Sequence, residues 1–154
     1  MILGIGDREM SERVDTLKSL HTALIDSRNG YEEALKDADG KGLTPLFRDM
    51  IALRNSDAAA LGEQLLTMGE KFDGKGSFMT AVHRTVIGVR SLFTGLDESI
   101  LPGLIDGEER IAGYYDDAIQ GSDLGASERS TLVNQRKVLQ AKIADMRRRK
   151  EMAA

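Results

Sequence analysis

Apolar residues recur at alternating spacings of three and four through most of the chain, the period of helices that bury one face. Over residues 11–36 the recurring positions are Val14, Leu17, His21, Leu24, Arg28, Tyr31 and Leu35. This spacing predicts a first helix. Ser11 is its expected N-cap, with Glu12 and Asp15 near the positive end of the helix dipole. The stretch "DADGKGLTP" breaks the pattern. Thr44 is then expected to cap a second helix, with Pro45 in the first position, where a missing N–H costs nothing. Over residues 45–70 the inward stripe reads Leu46, Met50, Leu53, Asp57, Leu61, Gln64, Leu65 and Met68, with Arg54 at its edge.

"DGKGS" ends the second helix, and a shorter amphipathic segment follows over residues 78–93, with Phe78, Val82, Val86, Val89 and Phe93 on one side. After "TGLDES" a third long helix is predicted over residues 97–120, starting nearer Ser99 or kinking at Pro102. Its stripe is Leu101, Ile105, Glu108, Ala112, Tyr115 and Ile119. "GSDLGAS" leads to a fourth, residues 127–150, with Leu132, Arg136, Leu139, Ile143 and Met146 inward. The long helices are roughly 33–40 Å at about 1.5 Å per residue. Short loops make the first and second helices one antiparallel hairpin and the third and fourth another. The connection over residues 71–97 is long enough to run the length of the bundle, and one long crossover between hairpins is the topology of ferritin-like folds. The expected fold is therefore an all-α, ferritin-like four-helix bundle. Its two antiparallel hairpins are joined by a long crossover that contains a short helix. One domain spans residues 1–154, with its core over about residues 11–150.

Composition agrees with this pattern and narrows the chemistry. Aromatic residues make up only 5% of the 154, and the segments are rich in Ala, Leu, Glu and Arg, as in helical proteins. A net charge of −4 argues against a surface that binds nucleic acid nonspecifically. With no cysteine there is no disulfide framework, thiolate metal site or cysteine nucleophile. The opening "MILGIGDREM" lacks the basic region of a signal peptide, and no apolar run approaches the roughly 20 residues that span a bilayer. The expected location is the cytoplasm.

A carboxylate in an apolar stripe needs a reason, and "GLIDGEERIAGYYDDAIQ" puts Glu108 in one. A di-iron or di-manganese centre would supply it, but such centres need a Glu from each of two helices and Glu-x-x-His from each of the others. Lys18 lies three residues before His21 and Thr80 three before His83, so no Glu-x-x-His exists. Arg28, Arg54 and Arg136 lie on or beside the inner stripes, where cations repel a dication, against Glu108, Asp57 and Glu32. The favoured reading is a buried polar cluster of Arg28, Tyr31, Glu32, Arg54, Asp57, Glu108, Tyr115 and Arg136. In it Arg54 or Arg28 holds Glu108 and Tyr31 or Tyr115 donates a hydroxyl. A degenerate carboxylate site for iron or manganese is the alternative. No catalytic or cofactor-binding residue is assigned.

The segments "LHTALIDSRNGYEEAL", "LFRDMIALR", "AVHRTVIGVRSLFTGLDESIL" and "DGEERIAGYYDDAI" together resemble a bacterial family of ferritin-like four-helix bundles, domain of unknown function 2383. The resemblance spans residues 17–147 and rests on Gly30-Tyr31, Arg54, His83-Arg84, Gly107-Glu108 and Tyr114-Tyr115 in that order. It implies the fold and a link to stress responses, with no established activity. The chain departs from the family at Asp57, where an aromatic residue is usual. It also lacks the histidine often found at the end of the last helix.

The remaining features have plain explanations. His21 on an apolar face reads as a hydrogen-bonded core residue. His83, Arg84 and Arg90 make the crossover basic and amphipathic, a pattern read as packing on the bundle rather than on a membrane. "MRRRK" complements the negative end of the last helix rather than marking a nucleic-acid patch. No Ser-His-Asp arrangement or glycine-rich phosphate loop is present. The expected function is non-enzymatic: a homo-oligomer or a binder of a protein partner, without nucleic acid or membrane. Ile51, Ala52, Ala58 and Ala59 provide apolar character on a second side of the second helix.

Overall fold

A computed structural model describes residues 5–36, 42–69, 97–121 and 124–153, with side chains from Val14 onward in the first helix. Four α-helices make up almost all of it: α1 (Ile5–Leu35), α2 (Thr44–Thr67), α3 (Leu101–Gln120) and α4 (Ala126–Ala153). A 3-10 turn, Glu98–Ile100, leads into α3. Among the described residues there is no strand, and no helix is long and apolar enough to cross a membrane. The short helix expected over residues 78–93, with His83, Arg84 and Arg90, lies outside the described residues.

The helix ends show which local signals acted. α1 starts at Ile5 and runs through Ser11, so Ser11 is not its cap. The preceding Asp-Arg-Glu-Met tolerates helix, and nothing there forces the chain to begin later. α2 starts at Thr44 itself, with Leu43 in the cap position and no side-chain cap, while Pro45 occupies the first turn as expected. Gly69 closes α2 at φ +83°, its N–H donating to the Leu66 carbonyl at 3.0 Å. Asp97 caps the 3-10 turn by accepting from the Ser99 N–H at 2.9 Å. α3 then begins at Leu101, with Pro102 where it needs no donor.

Side-chain pairs fix the helix directions. α1 runs antiparallel to α2, since Ser27 meets Arg54 and Tyr31 meets Phe47, their rings edge to face at 4.9 Å. It also runs antiparallel to α3, because Tyr31 meets Glu108 and Thr16 lies beside Gly121. α3 and α4 are antiparallel, joined by Tyr115–Gln135 and Arg147–Glu109. α2 and α3 are therefore parallel, so the end of α2 and the start of α3 lie at opposite ends of the bundle. Two antiparallel hairpins, α1–α2 and α3–α4, follow from these contacts.

The core is aliphatic, with Leu17, Leu20, Leu24, Met50, Leu61, Leu65, Leu101, Leu132, Leu139 and Met146 all fully buried. α1 buries a wider stripe than its spacing predicts, adding Leu20 and Ile25, because it packs against both α2 and α3. On α2 the expected order is reversed at one position: Arg54 is fully buried and Leu53 only half-buried.

Candidate functional site

Helical rotation of about 100° per residue decides which polar groups reach the middle of this bundle. Positions 54 and 57 of α2 share a face with Met50 and Leu61, and that face points inward. Positions 108 and 115 of α3 are two turns apart and share a face with Leu101, Ile105 and Ile111. The polar groups on these faces therefore meet in a space closed by leucines. Arg54 has no exposed surface, and Glu108 is 2% exposed.

Arg54 and Glu108 form the centre. The guanidinium Nη2 donates to Glu108 Oε2, and the two side chains form an ion pair from α2 to α3. The other Glu108 oxygen, Oε1, accepts from the Tyr31 hydroxyl at 2.6 Å. Arg54 Nε donates to Ser27 Oγ at 3.1 Å, while Nη1 is buried with no hydrogen-bond partner among the described residues. Burial pushes the Arg54 pKa down from the usual arginine range and pushes the Tyr31 phenol up to about 12. Tyr31 therefore stays a donor.

A second group lies beside it. The Tyr115 hydroxyl donates to Gln135 Oε1 on α4 at 2.8 Å and stands 3.5 Å from Asp57 Oδ2. Gln135 Nε2 faces the Asp57 backbone carbonyl at 3.5 Å. Burial raises the Asp57 carboxyl to about 6, against the opposing pull of Arg54 and the Tyr115 hydrogen bond. Burial and the neighbouring Asp57 also raise the Tyr115 phenol well above its ordinary value.

Five of the residues expected in the cluster come together: Tyr31, Arg54, Asp57, Glu108 and Tyr115. Three do not, and each misses for the same reason. Arg28 follows Ser27, and the extra 100° turns it toward Asn29 and Asn55 at 3.0–3.3 Å instead of Glu108. Glu32 follows Tyr31 and is exposed. Arg136 follows Gln135 and turns outward to Asp116, Nε to Oδ1 at 2.6 Å. Ser27 and Gln135 occupy the places assigned to Arg28 and Arg136. A strict three-then-four spacing from Leu132 reaches 135 and 139, so Gln135 was readable from the period. His21 is buried and bonded to the Ala58 backbone; burial first, then Arg28, lowers its pKa.

Metal chemistry needs several converging hard donors. Among the described residues, no group of three or more His, Asp or Glu side chains is placed to hold an ion. Both oxygens of Glu108 are taken by donors, and a guanidinium occupies the space between α2 and α3. These residues do not fit a di-iron or di-manganese centre.

Residues 12–121 match the family described as Domain of unknown function (DUF2383). The chain belongs to that family. No curated protein and no solved structure matches it. The DUF2383 span runs from α1 to the end of α3 and contains Tyr31, Arg54, Asp57, Glu108 and Tyr115. Gln135, which ties α4 to that group, lies beyond it.

Proposed function

We propose that this protein is a non-enzymatic, ferritin-like bundle of the bacterial cytoplasm that acts by associating with copies of itself or with a protein partner, in stress physiology. The observation that carries this reading is the Arg54–Glu108–Tyr31 group at the bundle centre. Where ferritin-like enzymes place metal-binding carboxylates, this chain has a neutralised ion pair, which holds two helices in register and offers no vacant ligand. Exposed apolar positions support association. Leu66 is 59% exposed and Val138 44%, and Ala52 and Ala59 of α2 face outward. Ala58 and Ile51 contribute to the core instead, which reduces the second apolar side of α2.

Two measurements test this reading. Light scattering over a wide concentration range is expected to report a dimer or larger assembly, and a monomer throughout would remove self-association. Thermal melts with added iron or manganese are expected to match those without, because a ligand raises stability only by binding the native state. A metal-dependent rise that disappears in Glu108→Gln would establish the metal-binding alternative.

A further inference from the structure

The bundle centre holds one cation and two carboxylates, and only one carboxylate is matched. Arg54 directs Nη2 to Glu108 and Nε to Ser27. Its remaining nitrogen, Nη1, makes no hydrogen bond among the described residues, although Asp57 is one turn away on the same helix. Asp57 is 7% exposed, so water does not replace the missing donor freely. Tyr115 has a single hydroxyl proton, and it is directed at Gln135 Oε1 at 2.8 Å. At 3.5 Å, Asp57 Oδ2 lies at the limit of hydrogen-bond distance. An ionised Asp57 is thus a buried anion without a good donor.

We propose that Asp57 takes up a proton in the folded bundle, closing a ring of hydrogen bonds that clamps α2, α3 and α4 together in mild acid. The protonated carboxyl, Oδ2–H, donates to the Tyr115 oxygen. Tyr115 donates to Gln135 Oε1 at 2.8 Å, and Gln135 Nε2, 3.5 Å from the Asp57 backbone carbonyl, draws in with the carboxyl to complete the ring. The proton comes from solvent and the step involves no other group. It also removes the unmatched charge, leaving Arg54 and Glu108 as a neutral pair.

Burial raises Asp57 against two opposing neighbours: Arg54 on α2, which is paired with Glu108 of α3, and Tyr115 on α3, which stays protonated. On α1, Tyr31 is bonded to Glu108 and His21 to the Ala58 backbone. On α4, Gln135 is neutral and Arg136 is paired with Asp116. Asp57 titrates higher in the fold than in the unfolded chain, so the folded state binds more protons between about pH 4 and 6. Its contribution is present at low pH and is lost as pH rises through about 6. His21 acts oppositely: its lowered pKa favours the fold at high pH and disfavours it in acid. Asp26, raised to about 6 by partial burial, acts in the same direction as Asp57.

The experiment is a carboxyl-carbon NMR titration of the wild type, with thermal melts of wild type and Asp57→Asn from pH 5 to 7. Asp57 is expected to titrate well above the ordinary carboxylate range. Asp57→Asn offers Tyr115 an amide donor in place of the acid proton, so it should melt at least as high as wild type at pH 7. The gap between the two should narrow by several degrees, roughly, toward pH 5. Titration of Asp57 at or below the ordinary carboxylate value would overturn the proposal, as would an Asp57→Asn melt that stays below wild type by the same margin at every pH.

Discussion

Glu108 has two carboxylate oxygens, and both accept hydrogen bonds from groups on other helices, one from Arg54 and one from Tyr31. Removing its charge while keeping its shape leaves the Arg54 guanidinium buried and unmatched, a change that typically costs about 3–5 kcal/mol. Glu108→Gln is expected to lose that much in denaturant unfolding. Tyr31→Phe removes one charge-assisted hydrogen bond and should lose less, about 1–3 kcal/mol. Replacing both members of the pair with apolar residues, Arg54→Met with Glu108→Leu, should recover most of the loss, because the desolvation cost disappears with both charges. A double variant no more stable than Glu108→Gln would show that the pair contributes more than mutual neutralisation.

Along α3, side chains specify the inner face, and glycine stands half-buried at position 107 and exposed at position 113. Gly107 and Gly113 lie within the helix, and a Cβ built at either meets nothing within 4 Å. Glycine in a helix interior costs roughly 0.5–1 kcal/mol relative to alanine, and no contact among the described residues requires it here. Gly107→Ala and Gly113→Ala are each expected to raise stability by about that amount in chemical denaturation at low protein concentration. A loss of stability accompanied by a smaller particle in light scattering would instead place these glycines in a close helix contact between copies.

At the scale of the whole molecule, the two hairpins depend on each other. α1 packs against α3 as well as α2, and among the described residues Arg54 of the first hairpin forms its ion pair with Glu108 of the other. A hairpin of roughly 65 residues alone buries too little surface for firm stability and would leave that guanidinium unpaired. Residues 1–69 produced alone are therefore expected to show reduced helicity and a broad melt by circular dichroism, and adding residues 97–154 should restore a cooperative transition. A sharp, independent melt of the first fragment would show that the hairpins are separate folding units.

The four long helices, their hairpin pairing and the polarity of the bundle centre were legible in the sequence because each has a local cause. The alternation of three and four marks a buried face, and Gly- and Asp-rich breaks such as "DADGKG" end one helix before the next begins. Glu108, Tyr31 and Tyr115 stood out because polar atoms at core positions require partners. The tertiary structure decided the partners. At the edge of a stripe a residue's fate depends on how far its helix is rotated about its axis, and packing against neighbours sets that rotation. Arg54 turned inward and Leu53 to the edge because α2 packs on α1 with α3 across the core. Ser27 and Gln135 replaced Arg28 and Arg136, each a single residue and about 100° away. The sequence alone determined that charge would enter the core; the rotation of the packed helices determined which charge met which.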